Sequence, residues 1–275
     1  MTVQTALQQG SRLLEEAGIP VSRLTAEVLL SHALGRERAY LYGHPEEDLS
    51  DLARLHFGRY LHERLQGKPT QYITKRQEFY GREFTVTPDV LIPRPETEHV
   101  VEAALALRDS VRRIVDVGCG SGAIAVTLRL EMRAEAWGTD ISTAALAVAD
   151  ANARRLGAPV HFLACDLVSA FGPGTMDLVV SNPPYVALAD EPGLQREVRD
   201  FEPRVALFAG ETGLEIYARL VTEAERVLRR GGALVLELGF KTSERVRAML
   251  GPMWQDVQIV PDLAGIPRVL VARLG

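Results

Sequence analysis

The stretch SNPPYV at 181–186 closes the apolar run MDLVV at 176–180. Proline lacks a backbone N–H and fixes φ, so two consecutive prolines end a strand and stiffen the chain that follows. The result is a rigid corner that displays one amide, Asn182, and one phenol, Tyr185. The pattern raises the question of which group the amide and the phenol contact at the end of a buried strand.

The Asn-Pro-Pro-Tyr motif resembles the signature of methyltransferases that alkylate a planar nitrogen conjugated to a π-system, such as a base amine or a side-chain amide. These nitrogens are weak nucleophiles because their lone pair is delocalised. The side-chain oxygen of Asn182 and the backbone carbonyl of Pro183 can each accept one N–H of an incoming –NH₂ group. Proline fixes its carbonyl in advance, and Tyr185 offers an aromatic wall.

A second candidate site is the run DVGCGSGA at 116–123. Glycines let a backbone turn sharply and approach a ligand at a helix N-terminus. Gly118, Gly120 and Ala123 also satisfy the dinucleotide fingerprint, so this run alone leaves NAD and S-adenosylmethionine open. The sequence offers no obvious acid or base partner for a nicotinamide, and this favours S-adenosylmethionine.

Two further carboxylates follow predicted strands. Asp140 ends GTD, where a carboxylate can accept hydrogen bonds from both ribose hydroxyls, although DIST could also cap a helix. Asp166 and Leu167 follow the next strand, where the first could contact an adenine edge and the second could cover the ring. A cap or loop role fits Asp166 equally well. Cys119 has no histidine partner in view and is expected to pack as a small apolar residue.

The elements that must position these residues alternate between strand and helix from residue 112 onward. Near-continuous apolar strands separated by helices predict a parallel sheet covered on both faces. The predicted strands span 112–118, 134–140, 160–166, 177–182 and 231–239, and the tail adds a terminal hairpin. We therefore predict an α/β fold with a doubly wound, mostly parallel seven-stranded sheet and a terminal antiparallel hairpin. Ligands bind at the carboxyl ends of such strands.

The first third of the chain has a different pattern. Residues 1–74 carry helical periodicity, with Gly18 and Gly35 as stops and Ser22 and Ser50 as predicted N-caps. The pattern predicts a small helical bundle at 1–74, a β-hairpin at 75–90 and the α/β domain at 91–275. Residues 1–75 contain nine basic and nine acidic residues, so this region is not a basic nucleic-acid surface.

The composition of the chain disfavours several other classes of protein. The 275 residues carry a formal net charge of −5, which does not favour a protein that grips nucleic acid through phosphates. The two cysteines give neither a disulfide framework nor zinc spacing, so no metal is expected and a reducing cytoplasm is the natural compartment. No apolar run approaches the length of a membrane span, and the N-terminus lacks a signal pattern.

Over its whole length the chain is similar to the HemK-type release factor glutamine methyltransferases, the PrmC family. The resemblance rests on LIPRPETE at 91–98, DVGCGSG, SNPPY and PRVALFAGETGLEIY at 203–217. It implies methyl transfer from S-adenosylmethionine to the glutamine N5 of the Gly-Gly-Gln loop of class-1 peptide chain release factors. It also implies that residues 1–74 are a substrate-docking domain, residues 75–90 a β-hairpin connector and residues 91–275 the methyltransferase domain. Arg94, Pro95 and Glu96 would border the pocket. Thr212 stands where the family usually has aspartate, and Leu167 where it often has an aromatic residue.

The resemblance implies these site residues: catalytic Asn182, Pro183 and Tyr185; cofactor-binding Gly118, Cys119, Gly120, Ser121, Gly122, Asp140, Asp166, Leu167 and Asn182; and substrate-binding Asn182, Pro183, Pro184 and Tyr185. Two alternatives remain. A nucleic-acid methyltransferase acting on adenine N6 or guanine N2 would use the same motif after base flipping. A scaffold that has lost catalysis is disfavoured because the motif residues are all present.

Overall fold

The computed structural model describes residues 1–275. The chain forms two compact units. The first comprises Met1–Arg76 together with Gln195–Phe201, and the second comprises Gln77–Leu194 together with Glu202–Gly275. The chain therefore leaves the second unit for seven residues and returns to it. No helix has both the length and the apolar character that a membrane span requires.

The first unit is helical. Its helices are α1 (Val3–Glu16), α2 (Ser22–Leu34), α3 (Arg38–Gly43), α4 (Asp51–Leu65) and α5 (Thr70–Thr74). Apolar side chains at helical spacing form its core, among them Leu14, Leu29, Leu30 and Phe57. The predicted Ser50 cap is present, since its side chain accepts the N–H of Ala53. The Ser22 cap was wrong: Ser22 is the first helical residue, and Val21 precedes it with a left-handed backbone.

The second unit contains the strands and most of the remaining helices. A short hairpin pairs β1 (Arg76–Phe79) with β2 (Arg82–Thr85). Then follow α6 (Glu98–Leu105), β3 (Arg113–Val117), α7 (Ala123–Glu131), β4 (Glu135–Asp140), α8 (Thr143–Leu156), β5 (Val160–Ala164), β6 (Met176–Ser181) and β7 (Val186–Ala187). After α9 (Arg196–Phe201), which belongs to the first unit, come α10 (Arg204–Leu207), β8 (Phe208–Gly210), α11 (Glu215–Val227), β9 (Leu228–Glu237), α12 (Ser243–Arg247), β10 (Trp254–Pro261) and β11 (Pro267–Leu274).

The main sheet has seven strands in the order β10-β11-β9-β6-β3-β4-β5. Strands β9, β6, β3, β4 and β5 run parallel, whereas β11 pairs antiparallel with β9 and β10 pairs antiparallel with β11. Apolar clusters cover both faces of the sheet. The predicted fold class, with its terminal antiparallel hairpin, is therefore confirmed. The first 3₁₀ turn before α6 (Pro95–Thr97) has proline at its first position, as expected.

The order of the strands places the candidate site. The chain runs outward from β3 through β4 to β5 and then crosses back to β6 on the other side of β3. The topological switch therefore lies between β3 and β6, where doubly wound sheets bind ligands. The loops at 118–122 and 182–185 leave the sheet at this point.

Candidate active site at the carboxyl edge of the sheet

The glycine loop and the Asn-Pro-Pro-Tyr segment begin side by side. Val117 at the end of β3 pairs in register with Ser181 at the end of β6. The Ser181 hydroxyl donates to the Val117 carbonyl at 2.6 Å, and Ser181 is fully buried. This bridge ties the two strand ends together directly before the predicted cofactor and substrate residues diverge.

The backbone of the glycine loop suits close approach by a ligand. Gly118, Gly120 and Gly122 have φ of 70°, 52° and 80°, values that strain any residue with a side chain. A Cβ added at Gly118 or Gly120 would meet no atom within 4 Å, so both positions are open. A Cβ at Gly122 would lie 3.1 Å from the Cβ of Ala149, because α7 and α8 pack closely there.

Asp140 stabilises the glycine loop from β4. Its carboxylate accepts the N–H of Gly120 at 3.0 Å and the N–H of Ser142 at 2.9 Å. The N-cap of α8 is Ser142, whose hydroxyl accepts the Ala145 N–H, so Asp140 is not itself the helix cap. An ionised carboxylate has about four lone-pair sites, so two acceptor positions are left for a ligand.

Two buried residues of the DVGCGSG run explain its shape. Cys119 packs where a Cβ on Gly138 would meet its Sγ at 3.1 Å, and burial raises the pKa of the Cys119 thiol well above its usual value. The group is therefore a packed thiol and not a nucleophile, as expected. Asp116 accepts the Ala125 N–H with one oxygen, and its other oxygen is buried without a partner. Burial raises the pKa of Asp116 to about 7.

Asn152 also holds this loop, and sequence reasoning missed it. Its side chain is fully buried on α8. The amide donates to the carbonyls of Ser121 at 3.0 Å and Thr85 at 2.9 Å, and its oxygen accepts the Thr85 N–H at 2.8 Å. A polar residue among the alanines of STAALAVADANARRLG was the signal that could have found it.

The segment after β5 is more exposed. Asp166 is about half exposed and forms a salt bridge with Arg219 on α11. Leu167 has a left-handed backbone, with φ of 49°, and packs partly against the apolar cluster on one face of the sheet. The two residues therefore lie at the predicted edge, with Leu167 supplying an apolar surface and Asp166 held by a cation.

A hydrogen bond to a buried threonine orients the side-chain amide of Asn182. Its Nδ2 donates to the Thr97 Oγ1 at 3.1 Å. Thr97 is 4% exposed and closes the 3₁₀ turn of the PRPET run. Because the amide nitrogen is engaged here, the Oδ1 of Asn182 is left as the acceptor on the opposite side of the planar group. Thr97 was not among the predicted site residues.

Tyr185 is held between two glycines. A Cβ on Gly239 would lie 2.8 Å from the Tyr185 ring, and a Cβ on Gly213 would lie 2.6 Å from the Tyr185 carbonyl oxygen. Gly213 also has a φ of 75°. Burial raises the pKa of Tyr185 to about 12, so the phenol is neutral at any working pH. Pro183 is buried, and Pro184 is half-buried beside it.

The PRPET run is joined to a buried carboxylate. Glu202, which is 4% exposed, accepts the Ile92 N–H and pairs with the Arg94 guanidinium. The departure at Thr212 is structural: its N–H and hydroxyl both donate to Glu215 at the start of α11. These bonds hold the pKa of Glu215 at about 2.

The fold defines the class of protein to which the chain belongs. The chain resembles solved methyltransferases at low identity, which shows the fold alone. A methyltransferase from Pyrococcus furiosus matches with a TM-score of 0.53 and 18% identity, covering 74% of this chain and 94% of that one. A T. thermophilus 16S rRNA N2 G1207 methyltransferase, in complex with AdoMet and guanosine, matches at 0.52 and 21%, covering 73% and 50%. The fold is that of Rossmann-like methyltransferases.

Sequence similarity identifies the family. Residues 5–74 match the PrmC N-terminal domain, and residues 99–196 match the methyltransferase small domain. A release factor glutamine methyltransferase from Koribacter versatilis (strain Ellin345) is 45% identical over 99% of each chain. Its counterpart from Nitratidesulfovibrio vulgaris is 43% identical over 99% of this chain and 95% of its own. The chain belongs to the release factor glutamine methyltransferase family.

Proposed function

We propose that this protein transfers the methyl group of S-adenosylmethionine to the N5 amide nitrogen of the glutamine in the Gly-Gly-Gln motif of class-1 peptide chain release factors. The observation that carries the proposal is the Asn182–Thr97 hydrogen bond, which leaves the Asn182 Oδ1 as an acceptor for an incoming amide. Full-length similarity to release factor glutamine methyltransferases supports the target.

The residues at the sheet edge fit S-adenosylmethionine. The open backbone at Gly118 and Gly120 accommodates close approach, and the unpartnered oxygen of Asp116 lies beneath the same loop. Residues 118–122, Asp140, Asp166–Leu167 and Asn182 would hold the cofactor. When bound, it supplies a methyl group bonded to a sulfonium sulfur, and that sulfur is an excellent leaving group because it departs as a neutral thioether.

The substrate amide is prepared by two acceptors. The Asn182 Oδ1 and the Pro183 carbonyl each accept a hydrogen bond from one N–H of the glutamine side chain. These two bonds draw electron density toward the nitrogen and disfavour the planar amide. Tyr185, held neutral by burial, forms the wall beside this group. Preorganised acceptors act at the moment of reaction without reorganising. Because the sulfur of the cofactor would leave as a neutral thioether, no strong base is needed before attack, and the surplus amide proton is lost to solvent once the N–C bond has formed.

We further propose the division of labour expected from the sequence: residues 1–74 bind the release factor, residues 75–90 connect, and residues 91–275 carry out methyl transfer. A short Gly-Gly-Gln segment offers little surface, so a separate binding domain supplies affinity. An intact release factor should therefore have a far lower KM than a synthetic peptide with the same loop. Equal KM values would remove the binding role. The two unpaired cysteines fit a cytoplasmic enzyme.

The deciding experiment uses labelled S-adenosylmethionine with three acceptors side by side. They are a class-1 release factor, the same factor with the Gly-Gly-Gln glutamine changed to alanine, and total cellular RNA plus DNA. Label in the intact factor that is lost in the alanine variant supports both the target and the modified residue. Label in the nucleic acid alone would overturn the target and leave an enzyme that methylates a base amine.

A further inference from the structure

Glu237 is a buried carboxyl group behind the Asn-Pro-Pro-Tyr segment. It ends β9, and β9 lies between β6 and β11 in the interior of the sheet. Glu237 is 3% exposed, and its Oε2 has no hydrogen-bond partner. A carboxyl group at the end of the buried apolar run 233–236 carries a large desolvation cost, so its presence calls for a reason.

One contact connects Glu237 to the site. Ser181 pairs in register with Leu236, so Asn182 and Glu237 directly follow neighbouring positions at the ends of β6 and β9. Burial raises the pKa of Glu237, and the nearby Thr97 hydroxyl acts against that rise by favouring the carboxylate. The same Thr97 Oγ1 accepts the Nδ2–H of Asn182 at 3.1 Å. The three side chains thus form a chain from the interior of the sheet to the residue that faces the substrate.

The chemistry of the middle group fixes the direction of this chain. A hydroxyl has one proton to donate and two lone pairs. The Asn182 Nδ2 can only donate, so Thr97 must accept there and direct its own proton toward Glu237. An ionised Glu237 only accepts, which matches that demand. A neutral carboxyl group could donate to Thr97 instead, and the Thr97 proton would then no longer be held toward Glu237.

We propose, on the basis of the function proposed above, that ionised Glu237 is a positioning residue for methyl transfer. It accepts a hydrogen bond from the Thr97 hydroxyl and so holds Asn182 with its Oδ1 toward the substrate amide. Without that acceptor the side-chain amide of Asn182 can flip, which would place its N–H donors against the N–H groups of the substrate amide. The effect falls on orientation for the reaction step and not on cofactor binding.

The surroundings place the ionisation of Glu237 in the working range. Burial raises the pKa of Glu237 to about 7. The titratable and charged groups that act on it are Arg94, Glu96, Tyr185, Tyr217 and Arg268. Arg94 and Arg268 are themselves paired with Glu202 and Asp262, and both tyrosines are neutral. The carboxylate is therefore formed as the pH rises through about 7, and kcat should rise with it.

The test is the pH profile of kcat in Glu237→Gln. This variant keeps the shape but cannot ionise, and its amide can donate to Thr97 as well as accept, so the direction of the chain is no longer fixed. We expect a kcat roughly 10-fold lower at pH 8, smaller than the ~10² lost with a whole preorganised group. We also expect the acidic limb near pH 7 to disappear, with KM for S-adenosylmethionine unchanged. Because a buried charge is removed, the melting temperature at pH 8 should stay the same or rise.

Two further variants separate positioning from packing. Thr97→Ser keeps the hydroxyl and should retain the wild-type limb, whereas Thr97→Val should lose it. Glu237→Gln added to Thr97→Val should cause no further loss in kcat, because the chain is already broken. Additive losses would overturn the proposal.

Asp116 provides the control, because burial also raises its pKa to about 7. If the limb persists in Glu237→Gln and vanishes in Asp116→Asn, the proposal is wrong. The series is run on whichever acceptor the wild-type enzyme labels. Failure of the proposed target is then seen in the wild type, and failure of the Glu237 role is seen in the variants.

Discussion

Gly239 tests how the substrate wall is built, because a single methyl group there should displace Tyr185. A Cβ at this position would lie 2.8 Å, 2.9 Å and 3.2 Å from three atoms of the Tyr185 side chain. Carbon atoms pack favourably at about 3.5–4.0 Å, so the ring must retreat by roughly 1 Å. Gly239 does not need a left-handed backbone, so the effect of Gly239→Ala is steric alone.

The backbone of Gly239 cannot move to relieve the clash. Its N–H donates to the Tyr217 hydroxyl at 3.1 Å, and its carbonyl accepts from the N–H and the hydroxyl of Thr242 at 3.1 Å and 2.9 Å. The Tyr185 ring is therefore the part that shifts. A misplacement of about 1 Å in a positioned group can cost about 10² in rate, so we expect that loss in kcat. Overpacking should cost roughly 1–3 kcal/mol of stability.

The assay measures kcat, KM for S-adenosylmethionine and urea unfolding for Gly239→Ala and for Gly172→Ala. At Gly172 a Cβ would meet only an ordinary contact at 3.6 Å, so that variant controls for an added methyl group. Tyr185→Ala removes the two nearest of these atoms, Cγ and Cδ2, so Gly239→Ala should cost little more in that background. Wild-type kcat in Gly239→Ala, or an equal loss in both backgrounds, would refute the reasoning.

Three other substitutions follow from contacts in the second unit. Asn182→Ala should lower kcat by about 10²–10³ with little change in S-adenosylmethionine affinity, and near-normal turnover would contradict the two-acceptor mechanism. Asn152→Ala loses the hydrogen bonds of a buried side chain to Thr85 and Ser121, so urea unfolding should show roughly 2–4 kcal/mol of destabilisation together with weaker cofactor binding. Asp177 accepts the N–H groups of Arg112 and Arg113 and pairs with Arg229, which lowers its pKa. A lowered carboxyl pKa stabilises the fold above the unfolded value of about 3.9 and ceases to do so as the pH falls, so the stability lost in Asp177→Asn should shrink below about pH 4.

Much of the sheet follows from local pattern. Apolar runs of strand length, each ended by glycine, aspartate or asparagine, predicted the five parallel strands because buried strands must be apolar on both faces. The absence of a helix between the last two strands predicted the antiparallel edge, which β10 and β11 confirm. Gly118, Gly120 and Gly122 were readable because their backbone conformation restricts the residue type.

The contacts that orient the site were not readable in the same way. Asn182 and Thr97 are 85 positions apart, and Asn152 and Thr85 are 67 apart. Periodicity reports which face of an element is buried, but it does not report which distant side chain meets it. Glu237 was also missed, although a carboxylate in the apolar run ALVLELG conflicts with a buried strand and such conflicts are expected at functional positions.

The composition of the first unit determines how substrate binding can be tested. Gln195–Phe201 belongs to that unit, although it follows the Asn-Pro-Pro-Tyr segment in the chain. Arg64, 6% exposed on α4, pairs with Glu197 at 2.6 Å, and Arg196 donates to the Gln66 carbonyl at 2.7 Å. Deleting residues 1–74 would leave Glu197 and Arg196 without these partners and disturb the chain that runs on from residues 182–185. A lower rate in such a truncation would therefore have two causes, whereas a comparison of whole factor with peptide on the intact enzyme has one.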